Sequence, residues 1–177
     1  MSVKSTRDKM EKVLELTQEI ITASLFDDTE RIGELLNRHQ AGLEARMKQG
    51  GLQVAGSRIS SYLFNEGLFR EKTGGAEYYW WVTDLTNKYT EDPQIVLEEL
   101  SQTANSLFRK SNLIAAVTCS EEDYSAFTQA WNTFAAAVPE GETQFQEWNF
   151  QPEPANEAFL TDSKVQYVVK GYDYKEL

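Results

Sequence analysis

The chain has 177 residues, 41% hydrophobic and 12% aromatic, enough for one domain with a substantial core and too apolar for disorder. With 28 acidic against 17 basic side chains its net charge is −11, which argues against nucleic acid or an anionic membrane as a partner. No apolar run approaches the roughly 18 residues of a membrane span. Residues 1–10 are charged and polar, unlike a secretion signal. A lone cysteine, Cys119, excludes an internal disulfide framework and fits a reducing, cytoplasmic setting.

Met10, Val13, Leu14, Thr17 and Ile21 recur at helical spacing and predict a first helix ending near Leu25 and Phe26. Asp27, with Glu30 three residues on, predicts a capped start for a second. That helix carries Ile32, Leu35, Leu36, His39, Leu43 and Met47 on one face and stops at Gly50 and Gly51. Leu52, Ala55, Ile59, Tyr62 and Leu63 predict a third, followed by a short polar segment reaching Gly74 and Gly75. Tyr78, Trp81, Val82, Leu85 and Tyr89 form a broad aromatic stripe on a fourth. Asp92 and Pro93, a cap and a first-turn proline, launch a fifth with Val96, Leu97, Leu100, Ala104 and Leu107.

The pattern then changes. Residues 113–118 are a short continuous apolar run and predict a buried strand. Ser120 to Asp123 caps a sixth helix with Tyr124, Phe127, Trp131, Phe134 and Val138 inward. Residues 139–154 hold three of the four prolines and Gly141, and read as a linker. Residues 164–169, partly alternating β-branched and aromatic with polar side chains, predict a closing strand. Two strands seldom make a stable sheet. Either residues 145–150 supply a third, or the sheet's other strands lie outside this chain, with pairing between copies in compensation. The second option is favoured, so the expected class is α+β with an incomplete sheet and exposed strand edges open to self-association.

The residues supply little chemistry. With one histidine and one cysteine, a zinc site would need mostly carboxylates. His39 is followed by neither HExxH nor HxxEH spacing, and reads as a packed, hydrogen-bonded side chain. Cys119, at the end of the expected strand, reads as an inert core thiol. The acidic pairs Asp27 and Asp28, Glu98 and Glu99, and the Glu121 to Asp123 run read as caps and solvated faces, and Gly74 with Gly75 as a helix stop rather than a phosphate loop. The cluster Tyr78, Tyr79, Trp80 and Trp81 is wider than one buried stripe, so part of it faces outward as a candidate partner or substrate wall. No serine, histidine and acid constellation is available.

Four stretches carry a family resemblance. Residues 25–36, with Phe26, Asp28, Arg31 and Leu36, resemble the "nFdDkeRlkelL" junction of the presequence protease branch of the pitrilysin/insulinase zinc metallopeptidases. Residues 50–62, with Ala55, Arg58, Ser61 and Tyr62, resemble its "sGhxxAxxRaxSy" helix, although Leu52 replaces the histidine. Residues 108–124 are similar to "lFrkeNLixsvTgdeedy", and residues 156–170 to "NEaFlTaskVQYVakg". The resemblance implies a helix-rich two-layer part of a LuxS/mitochondrial processing peptidase-like domain. Residues 1–138 would be the latter part of the third peptidase domain, 139–161 a linker and 162–177 the first strand of the next domain.

It also implies that the catalytic zinc, held by HxxEH and a distant glutamate, belongs to a parent enzyme and not to this chain. The partners implied are the remainder of that peptidase and unfolded peptides, with Tyr78, Tyr79, Trp80 and Trp81 as wall candidates. The alternatives are a stand-alone helical interaction module derived from that domain, and a small enzyme using surface carboxylates.

Overall fold

The computed structural model describes residues 2–142, 146–162 and 164–174. Among them run α1 (Met10–Ala23), α2 (Thr29–Gln49), α3 (Gly51–Ser61), α4 (Asn65–Gly74), α5 (Ala76–Glu91), α6 (Pro93–Leu107) and α7 (Glu121–Ala137), with short 3-10 turns at Arg7–Lys9 and Lys110–Asn112. They sort into two compact units. One comprises Met1–Asp28 with Leu97–Gln146, the other Thr29–Val96 with Glu147–Leu177.

In the first unit α1 packs on α7. The expected stripe of Met10, Val13, Leu14, Thr17 and Ile21 is half-buried along α1, while Phe134 and Val138 are the buried residues at the end of α7. Trp131 lies between Phe127, at 6.2 Å, and Phe134, at 5.1 Å between ring centroids. Ser120 caps α7 as its sequence suggested: its Oγ accepts the Asp123 backbone N–H at 3.3 Å and donates to the Asp123 carboxylate at 2.7 Å. Arg7 pairs with the same Asp123 at 3.0 Å. Asn112 donates to the carbonyls of Ser106 and Leu107 at 3.2 and 3.1 Å, satisfying acceptors that the end of α6 leaves open.

In the second unit α2 packs on α5, and α3, α4 and α5 pack in succession. The two long helices run antiparallel, since the Tyr89 hydroxyl donates to the Thr29 carbonyl at 2.5 Å while Gln40 reaches Thr83 at 3.3 Å. The expected capping box starts one residue late: α2 begins at Thr29, so Asp28 rather than Asp27 precedes it. Residues 65–74, expected as a polar connection, are α4. Residues 147–174 carry neither α-helix nor strand and lie as a strap along this unit. Trp148 and Phe150 meet Phe69 at 6.3 and 6.0 Å, and Phe159 meets Trp80 at 6.0 Å.

The expected α+β class is wrong. The fold is all-helical, with no strand among the described residues. Residues 113–120 are extended but exposed, Ile114 at 95%, where a buried strand was expected. Residues 164–169 are likewise outside any ladder, with Val165, Tyr167 and Val168 exposed; Ser163 and residues 143–145 and 175–177 lie outside the described residues. β-branched composition measures fit to a half-buried pleated surface, and with no neighbouring strand that propensity has nothing to act on. Cys119, expected in the core, is exposed for the same reason.

Gly67 fixes the closest helix approach. A methyl group there would overlap the backbone carbonyl of Ser60, whereas one at Gly56 would meet nothing within 4 Å. Helix propensity favours alanine over glycine by up to about 1 kcal/mol, and overpacking costs about 1–3 kcal/mol. Urea titration of Gly67→Ala should therefore show destabilisation, and Gly56→Ala stabilisation of about 0.5–1 kcal/mol. Equal signs for the two would refute this account of α3–α4 packing.

Candidate functional site

The most concentrated polar chemistry lies in the second unit, around Arg58 on α3. Its guanidinium is buried, and its donors meet three carboxylates from three other segments. Nε and Nη2 grip Glu157 of the strap in a two-pronged pair at 2.9 and 2.6 Å. Nη1 reaches Glu71 of α4 and Glu77 of α5, each at 3.3 Å. Three rings face the same cation, with Tyr62, Trp80 and Phe159 centred 5.2, 5.5 and 6.0 Å from its central carbon.

Glu71 is fully inaccessible to water. One of its oxygens accepts the backbone N–H of Ala76 at 2.6 Å and of Glu77 at 3.3 Å, and the other accepts the Ser57 hydroxyl at 2.6 Å. The carboxylate thus sits on the positive N-terminus of α5 and supplies the cap that Gly75 has no side chain to provide. Gly75 is required there, because a Cβ would occupy the space of that carboxylate. The glycine pair marks a helix stop, as expected, and also a carboxylate seat. Lys72 completes the cluster against Glu77 at 3.1 Å.

Ionisation follows from this geometry. The hydrogen bond from Arg58 holds Glu157 below its ordinary carboxylate range, against partial burial. Burial opposes the charge of Arg58, but the Glu157 hydrogen bond and the surrounding negative groups outweigh it and raise its pKa. Burial pushes the Tyr62 phenol up, reinforced by the nearby Glu157 carboxylate.

The four aromatic wall candidates are not brought together on one surface. Trp80 joins the Arg58 cluster and meets the strap. Tyr78 stacks on Trp81 at 5.8 Å, and its hydroxyl is 3.0 Å from His39 Nε2. Tyr79 is half-buried. His39 is hydrogen-bonded as expected, yet exposed rather than packed. Among the described residues no three His, Cys, Asp or Glu side chains form a group that could hold a metal ion. Sequence reading did not single out Arg58, Glu71 or Glu157. The available signal was that Arg58 and Glu157, of opposite charge, both fall in stretches that carry the family resemblance.

What the second unit presents is a helical scaffold closed by ionic cross-links. Residues 1–85 match the family described as the associated region of M16 peptidases, subfamily C, a span that includes Arg58, Glu71 and Glu77 but not Glu157. The chain is 28% identical over 175 residues to "Protein HypA" of Clostridium perfringens, covering 99% of this chain and 18% of that protein. It is 23% identical over 169 residues to "Presequence protease 1, chloroplastic/mitochondrial" of Arabidopsis thaliana, covering 95% and 16% respectively. The chain thus spans less than a fifth of the length of either relative. It is a pitrilysin-family, M16 peptidase-associated region, non-catalytic in itself.

Replacing Arg58 by methionine leaves Glu71 charged and dry, and should cost about 3–5 kcal/mol in chemical denaturation. Glu157→Gln should cost less, about 1–2 kcal/mol, because its side chain is 33% exposed and a neutral amide still accepts one bond. The acid limb checks the pairing independently. Since Glu157 has a depressed folded pKa, its contribution is present above its unfolded value of 4.5 and is lost as the pH falls through the folded value. Glu157→Gln should therefore flatten the acid-side fall in stability below about pH 4.5, and an unchanged slope would disprove the clamp.

Proposed function

We propose that this chain is a non-catalytic part of a zinc-dependent endopeptidase that degrades unfolded peptides, where it builds part of the wall of the substrate chamber. The match to a presequence protease over 95% of the chain supports the setting. The observation that carries the structural role is the state of its buried charges: every Arg58 ion pair joins one segment of the fold to another. Such groups position helices and do not turn over substrate. Zinc, the general base and the nucleophilic water would be supplied by the remainder of the peptidase, which is the principal partner in this reading. A reducing, cytoplasmic setting belongs to the same proposal and suits the exposed thiol of Cys119.

The test is direct. The purified chain, incubated with an unstructured peptide carrying a quenched fluorophore, should show no turnover with added zinc. Chelator-sensitive cleavage by this chain alone would overturn the assignment.

A further inference from the structure

One face of α2 carries a groove of about 410 Å³ that the Arg58 cluster does not use, lined by Leu35, Arg38, His39, Gly42, Leu43 and Arg46. Gly42 opens its floor, since a Cβ there would meet nothing within 4 Å. The ion pairs within α2 are Arg31 with Glu34 and Glu44 with Lys48, so Arg38 and Arg46 have no acidic partner among the described residues. Two such guanidiniums on one helix face stand out in a chain of net charge −11. At one side His39 meets Tyr78 at 3.0 Å, and Tyr78 stacks on Trp81, which is 57% exposed. The indole is thus a pre-positioned aromatic surface, held by a ring that is itself hydrogen-bonded.

We infer that this groove docks an extended acidic peptide, with Arg38 and Arg46 each receiving a carboxylate and Trp81 covering an adjacent apolar side chain. Eight helical residues separate the two arginines, or about 12 Å along the axis. An extended peptide advances about 3.3 Å per residue, so carboxylates at positions i and i+4 lie about 13 Å apart and on the same side of it. Neighbouring carboxylates do not meet this spacing. Each contact would be an Arg–carboxylate pair over a partly apolar floor, where geometry as well as charge contributes. The inference builds on the reading that the chain works among peptides, but it concerns binding and requires no catalysis.

The test uses the full chain and three fluorescein-labelled ten-residue peptides on a glycine and serine background with one phenylalanine. One has glutamates at i and i+4, one has them at i and i+1, and one has lysines at i and i+4. Fluorescence anisotropy should show the first binding about tenfold more tightly than the second, and the third not at all. Arg38→Glu with Arg46→Glu should abolish the first interaction and Trp81→Ala weaken it. Arg31→Glu, at an arginine already paired, should leave it unchanged. Circular dichroism checks that these surface variants keep their helix content; if the double charge reversal loses it, Arg38→Gln with Arg46→Gln takes its place. Equal binding of the two glutamate peptides, equal loss with Arg31→Glu, or no binding would each overturn the groove. None of these results bears on turnover by the purified chain, which tests the chamber role separately.

Discussion

Arg58 carries its charge at any pH where a protein folds, and Glu71 has no access to water, so neither can escape the cost of burial by changing its proton count. The helices must therefore bring counter-charges and donors to both. Glu71 receives Arg58, Ser57 and the first two amides of α5; Arg58 receives Glu71, Glu77 and Glu157. Ion pairs of this kind add little net stability over well-packed apolar side chains of the same volume. What this one supplies is position. It sets the turn from α4 into α5, and a slip of the strap by one residue would bring Asn156 or Ala158 opposite the guanidinium in place of Glu157.

The same constraint accounts for a long segment that stays in place without secondary structure. Between residues 147 and 174 the strap makes its contacts by side chains at intervals: Trp148 and Phe150 on Phe69, Glu157 on Arg58 and Phe159 on Trp80. Close approaches further along use glycine on either side. Gly51 on α3 leaves room for the Tyr167 ring, and Gly171 on the strap leaves room for Ile59 and Leu63. These contacts take up side-chain surface without a backbone ladder, so the segment needs no neighbouring strand. Its β-rich composition predicted one.

What the sequence made legible follows from this. The long amphipathic helices, the Ser120 cap and the Asp92–Pro93 start were readable, because each rests on local spacing or a local hydrogen bond; Asp92 accepts the Gln94 amide at 3.0 Å. Helix α4 was not, because its two buried residues are Gly67 and Glu71, neither of which gives an apolar signal at helical spacing. The strands failed for a different reason: residues 113–118 and 164–169 have the composition of strands, but strand formation depends on a partner that periodicity cannot show. In the site, the aromatic run was visible and its division between two surfaces was not. The Arg58–Glu157 pair spans 99 positions, beyond the reach of any local pattern.

Burial divides the arginines of the second unit into two kinds. Arg58 is enclosed, and all three of its nitrogens are engaged by carboxylates within the fold, so its charge is spent on architecture. Arg38 and Arg46 lie exposed on a helix face whose nearby acids, Glu34 and Glu44, are engaged by Arg31 and Lys48. A cation with unsatisfied donors at a water-exposed groove can exchange water for a ligand's carboxylate at little desolvation cost, whereas Arg58 would first have to break its bonds to Glu157. The aromatic run follows the same division. Trp80 turns toward the enclosed arginine and Trp81 outward beside the open pair, and adjacent positions on one helix, about 100° apart, are what allow α5 to serve both.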